Sequence, residues 1–113
     1  MNLWTPEQLA AMVANNAESR SNDNCDHYPV VKLFTPDAGA TWLLTEIDEE
    51  EDLAFGLCDL GLGYPELGYV SISELRELRG RLGMPIERDI SFVAKKPLSE
   101  YAKEAIRAGV IVT

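Results

Sequence analysis

Four short runs with strand character lie between Val30 and Ile72, and the connections between them are too short to carry a crossover helix. A parallel return within one sheet needs about a dozen residues or more, so runs spaced like this pair antiparallel with their neighbours. The runs are Val30–Thr35, Thr41–Asp48, Leu53–Asp59 and Gly68–Ile72. Pro36-Asp37-Ala38-Gly39 is a turn, Asp48-Glu49-Glu50-Glu51-Asp52 an acidic hairpin, and Gly61–Gly68 a glycine-rich connection. The spacing predicts a meander. Strand alternation sets Thr41, Leu43, Thr45 and Ile47 against Trp42, Leu44, Glu46 and Asp48. In the third run Leu53, Phe55 and Leu57 share a face, and Gly56 leaves room for a close neighbour or a bulge.

Helix signals flank the meander. Thr5-Pro6-Glu7-Gln8 combines an N-cap, a proline at the first helical position and a capping-box glutamine, with Trp4 and Leu9 placed as a hydrophobic staple. This helix is expected from Pro6 to about Asn15, where Asn15-Asn16 ends it, and Ala17–Tyr28 reads as a polar loop. Ser71 and Glu74 stand in capping-box register for a second helix carrying Leu75 and Leu78, with Gly80 as its stop. A fifth strand is expected over Ile90–Val93, and a last helix over Leu98–Ala108 with Gly109 as its stop. The buried stripe of that helix is expected to be Tyr101, Ala102, Ala105 and Ile106. Val110-Ile111-Val112 is either a short strand or an apolar tail. The expected fold is α+β, a mainly antiparallel sheet of about five strands (a meander of four plus one) with three helices on one face. At 113 residues and 46% apolar, the chain is long enough for one core, so a single domain over residues 1–113 is expected.

Charge narrows the partners. The net charge is −9, and it is uneven: residues 1–60 hold 12 acidic and 2 basic side chains, residues 61–113 hold 7 and 8. So negative a half repels phosphate backbones, which argues against direct nucleic-acid binding and suits a basic protein partner. No run approaches the roughly 18 apolar residues of a membrane span, and the N-terminus lacks the pattern of a secretory signal, so a cytoplasmic protein is expected. Two cysteines, Cys25 and Cys58, are too few for a disulfide framework and are expected as free thiols.

The motifs commit to no reaction, and no cofactor or catalytic residue is assigned. His27, the only histidine, stands beside Cys25 and Asp26, but the spacing matches no standard zinc signature, so no metal site is assigned. Glu49, Glu50 and Glu51 form the centre of the acidic hairpin, which lacks the spacing and glycine of a calcium loop. The glycines after Asp59 fit neither a dinucleotide fingerprint nor a phosphate loop. Arg76, Arg79 and Arg81 crowd the end of the second helix, as dipole complements or as an anion clamp. Glu87 and Asp89 are expected on one side of an extended segment with Arg88 on the other, a minimum for acid–base or metal chemistry.

The segments Phe55-Gly56-Leu57, Glu66-Leu67-Gly68-Tyr69, Ser73-Glu74-Leu75, Arg79-Gly80 and Ile86-Glu87-Arg88-Asp89 follow one another in an order that resembles a small bacterial family, domain of unknown function 2958. Lys32-Leu33-Phe34-Thr35-Pro36, Thr41-Trp42, Thr45-Glu46 and Asp48 extend the resemblance, which covers most of residues 30–99. It implies an accessory protein of plasmids or integrative elements, near antirestriction-type genes, and brings no catalytic assignment. The matching positions Glu66, Tyr69, Arg79, Glu87, Arg88 and Asp89 are candidate binding residues. The expected function is a small acidic non-enzymatic binding protein that engages a basic surface of a DNA-handling or host-defence protein. The alternative is a metal-dependent or acid–base hydrolase built on Glu66, Glu87 and Asp89 with His27.

Overall fold

The computed structural model describes residues 2–113. The order of elements is α1 (Pro6–Ser21), β1 (Val31–Phe34), β2 (Thr41–Ile47), β3 (Leu53–Asp59), β4 (Glu66–Ser71), α2 (Ile72–Glu77), β5 (Glu87–Arg88) and α3 (Leu98–Ala108). The short connections act as expected: β1 to β4 pair antiparallel in sequence order. β5 then returns to the free side of β1, giving the sheet order β4-β3-β2-β1-β5. The fold is thus α+β, with a five-stranded antiparallel sheet and three helices.

One residue departs from the simple alternation of β2. The β2–β3 register shifts between Leu44 and Glu46, so Thr45 is the extra residue of a bulge. Ile47 consequently joins Trp42 and Leu44 in one cluster, where strict alternation set it with Leu43. Gly56 lies opposite Leu44, and any Cβ there would run into the Leu43 carbonyl. The close approach expected at this glycine is present.

The helices occupy both faces of the sheet. α1, the start of the chain and α2 cover one face, with Leu3, Trp4, Met12, Ile72 and Leu75 packed on Val31, Leu33, Trp42, Leu44, Ile47 and Ala54. α3 takes the opposite face, where Leu98, Tyr101, Ala102 and Ala105 pack on Leu43 and Leu57. The placement of all three helices on one face is therefore corrected. The reason lies in the strands: Leu43, Phe55 and Leu57 alternate with the residues beneath α1, and this second apolar row needs its own cover.

Element ends differ where tertiary contacts override local signals. α1 continues past Asn15-Asn16 to Ser21, because the Asn15 amide donates to the Thr45 carbonyl (3.0 Å) instead of capping its own helix. Its N-terminal capping box forms in both directions, Gln8 N–H to Thr5 Oγ1 and Thr5 N–H to Gln8 Oε1. α2 starts at the Ser71 cap but ends before Gly80, at Leu78. The fifth strand is Glu87–Arg88; over Ile90–Val93 the chain turns instead, because Asp89 accepts the Ser91 N–H and its carbonyl accepts that of Phe92. α3 stops at Gly109, which is left-handed (φ 76°). Its stripe includes Leu98, whereas Ile106 is exposed. No helix among the described residues is long and apolar enough to cross a membrane.

Candidate functional site

Five aspartates are drawn into holding the backbone together. Asp37 accepts the N–H of Leu82 (2.6 Å) and of Met84, fastening the loop after α2 to the β1–β2 turn. Asp59 is fully buried and accepts from Gly61 and Ile111 (2.9 Å each), pinning the C-terminal tail to the end of β3. Asp26 accepts the Ser99 N–H (3.1 Å) and caps α3, whose own N-cap, Pro97, has no side-chain acceptor. Asp48 accepts from Asp52 and Leu53 and shapes the β2–β3 turn, and Asp89 fixes the turn after β5. Each is a charge-assisted acceptor, the stronger kind of hydrogen bond.

The acidic surface is correspondingly smaller than the sequence suggests. Of the eight acidic residues from Asp37 to Asp59, Asp37, Asp48 and Asp59 serve the fold and Glu46 accepts from the Ser19 hydroxyl (2.8 Å). Glu49, Glu50, Glu51 and Asp52 are exposed at the β2–β3 turn, and among the described residues no ion pair reaches them. The turn abuts the far end of β4, since the Ile72 N–H donates to the Asp52 carbonyl (2.9 Å) and Leu53 pairs with Ser71.

β4 is the outer strand on this side of the sheet. The Ile72–Asp52 bond sets the phase of the β3–β4 ladder. Val70, Gly68 and Glu66 then point their backbone groups inward, while Leu67 and Tyr69 direct theirs away from the sheet. The side chains of those two residues are also exposed, Leu67 by 50% and Tyr69 by 71%. They stand opposite Leu57 and Phe55 on the α3 face. The Tyr69 ring meets Phe55 edge-on, with centroids 5.1 Å apart. Leu53, in the same row, is also exposed, and Glu66 closes the other end of the strand. The result, among the described residues, is an unpaired edge with an apolar row on the α3 face, the acidic turn at one end and the Glu66 carboxylate, on the opposite face, at the other.

The six positions singled out by resemblance do not meet in one cleft. Glu66 and Tyr69 lie on β4, while Glu87 and Arg88 form β5 at the opposite edge, four strand spacings or roughly 19 Å away. Glu66, Glu87 and Asp89 therefore share no site. Arg88 donates to the Asn2 carbonyl, while Asp89 pairs with Lys32 (3.3 Å) on the α3 face. Lys32 also donates to Thr113 Oγ1 and lines a shallow cleft of about 320 Å³ with Phe34, Thr35, Thr41 and Asp89. The arginine cluster disperses as well. Arg76 stacks over Trp4 (5.7 Å), Arg79 donates to the Arg76 and Leu78 carbonyls at the end of α2, and Arg81 is exposed in the following loop. Arg76 thus satisfies a ring and Arg79 a helix terminus.

Both thiols are free, and the surroundings of each push its pKa up. Burial, reinforced by Glu66 on the neighbouring strand, pushes Cys58 up from 9.0 to about 11. Loss of solvent and the adjoining Glu18 carboxylate raise Cys25. Glu18, Cys25 and His27 come together at the end of α1, a grouping that sequence spacing does not reveal, because the polar composition of Ala17–Tyr28 places Glu18 in a loop.

The family described as Protein of unknown function (DUF2958) matches residues 3–112, and the chain belongs to it. No curated protein and no solved structure matches.

Proposed function

We propose that the protein is a non-enzymatic binding module whose contact surface is the open β4 edge together with the acidic β2–β3 turn. The occupant is an extended, basic segment of a protein partner with apolar residues at alternate positions. The reading rests on the coincidence, among the described residues, of free backbone groups and exposed side chains at Leu67 and Tyr69 with carboxylates at Glu49, Glu50, Glu51 and Glu66 that no ion pair reaches. An added strand would take its main-chain bonds from the edge and its specificity from the row of Leu53, Leu67 and Tyr69. Basic residues at its ends would meet the carboxylates, which speeds encounter and sets register. A second copy is the less suitable occupant: antiparallel pairing of β4 with itself would bring Glu66 of each chain towards the other's acidic turn. If the protein is carried by plasmids or integrative elements, as the family resemblance implies, a DNA-handling or host-defence protein would supply such a segment.

The test is fluorescence anisotropy with a labelled peptide alternating lysine and valine, at low and moderate salt. Wild type should bind it, binding should weaken with salt, and Glu49→Lys/Glu50→Lys/Glu51→Lys should weaken it at least about tenfold. Equal affinity of the charge-reversed variant would remove the acidic turn from the interface. Concentration-dependent dimerisation that blocks the peptide would show that a second copy takes the edge.

A further inference from the structure

The segment after α1 joins the two faces of the sheet. Its middle residue, Asp26, caps α3 through the Ser99 N–H, and the His27 carbonyl accepts from Leu98 (2.9 Å). On either side of Asp26, Cys25 and His27 both reach Glu18 in the last turns of α1. A carboxylate oxygen of Glu18, the Sγ of Cys25 and a ring nitrogen of His27 all lie within 4.8 Å of one another. The Cys25 Sγ is 3.3 Å from Glu18 Oε1. Around a tetrahedral zinc ion, ligands at about 2.0–2.3 Å stand roughly 3.3–3.8 Å apart, so the three side chains need to close by only about an ångström.

A second observation is independent of that proximity. His27 Nε2 is buried without a hydrogen-bond partner among the described residues. A buried ring nitrogen left in that state is costly, and in folded proteins such atoms are met by a partner. The chemistry of the set is selective. A thiol, an imidazole and one carboxylate suit a borderline-soft cation, whereas magnesium and calcium take oxygen ligands. Next to the group, the Ser19 hydroxyl holds Glu46 (2.8 Å), which keeps a further carboxylate near it.

We infer that Glu18, Cys25 and His27 form a site for a thiophilic divalent cation, Zn²⁺ foremost, with solvent completing a four-coordinate sphere. Bound there, the ion ties the end of α1 to the segment that caps α3. It therefore acts on the junction between the two helical layers, away from the β4 edge.

The experiment uses the full chain freed of metal by chelation, with Zn²⁺ added alone and Co²⁺ as a spectroscopic probe. Saturable uptake of about one ion per chain is expected, with a thiolate-to-cobalt charge-transfer band, a higher Tm and slower alkylation of Cys25. Cys25→Ser should abolish the band, and Cys25→Ser and His27→Gln should each weaken Zn²⁺ binding by at least about tenfold. Glu49→Gln/Glu50→Gln/Glu51→Gln should bind the ion as wild type does, which separates this site from the acidic turn. Circular dichroism of the metal-free variants verifies that they are folded; should His27→Gln unfold, the charge-transfer band of folded Cys25→Ser decides. The proposal is overturned if Zn²⁺ is not taken up at about 1 mM, if both variants bind like wild type, or if uptake follows the hairpin variant. None of these readouts involves the peptide, so either idea can fail without the other.

Discussion

The two edges of the sheet handle the same physical problem in opposite ways. At the β5 edge the strand has only two residues, the side chains there are held by the fold (Lys32 pairs with Asp89, Arg88 reaches the Asn2 carbonyl), and the chain turns away immediately. At the β4 edge six residues run unpaired along one side, with Leu67 and Tyr69 exposed and carboxylates at either end. Proteins usually blunt an outer strand by shortening it, charging it or covering it, because unpaired backbone groups recruit other chains. Here the shortening is confined to β5, and at β4 the charge stands at the ends of the strand. The arrangement keeps copies of the chain apart through like charge while leaving the edge available to a positively charged strand.

The harshest disruption of the sheet that carries both edges is at Gly56, the position in β3 that lets the β2 backbone approach closely. Gly56→Ala should destabilise the protein by about 3 kcal/mol or more, since the new methyl meets the Leu43 carbonyl and not a movable side chain. Urea unfolding measures the loss. Next is the closed edge itself. Asp89→Ala removes the Lys32 pair and the Ser91 acceptor together, and should cost about 1–2 kcal/mol in the same assay.

Of similar or smaller size is a pH effect on the β4 side. Cys58 faces Glu66 across the ladder and titrates at about 11 in the fold against 9.0 ordinarily, so the unfolded chain loses this proton first. The contribution of this thiol to stability is full below pH 9 and is lost as pH rises from 9 to 11, by about 1 kcal/mol once its partial exposure is discounted. Thermal melts across that interval should show a steeper decline for wild type than for Cys58→Ser. The smallest effect on stability is the most telling for function. Tyr69→Ser should change unfolding by no more than about 0.5 kcal/mol, because the ring is largely exposed, yet weaken the basic peptide about tenfold.

Local chemistry made much of the architecture readable. The capping box at Thr5, the meander spacing, the close approach at Gly56 and the left-handed Gly109 are each consequences of residues near in sequence. What could not be read was wherever a side chain finds a distant partner. Asp26 caps a helix 73 residues on, Asp37 holds an N–H 45 residues on, and Asp59 one 52 residues on. From composition these carboxylates look the same as Glu49 or Glu50, so the charged stretch reads as a uniform acidic face when half of it is internal scaffolding. The same limit hid the Thr45 bulge, which moved Ile47 to the other face, and the Asn15 contact that lengthened α1 and brought Glu18 beside Cys25 and His27. The resemblance-based positions scattered for a related reason: β4 and β5 are only 15 residues apart between Ser71 and Glu87, but the topology sends them to opposite edges.

The most direct test of the open-edge account is a residue-resolved NMR titration of the ¹⁵N-labelled protein with the lysine–valine peptide. The account predicts the largest shifts and new exchange protection at the Leu67 and Tyr69 amides, smaller shifts at Glu49, Glu50 and Glu51, and little change at Glu87 and Arg88. Shifts centred on β5, or spread over the acidic turn with the Leu67 and Tyr69 amides left unprotected, would contradict it.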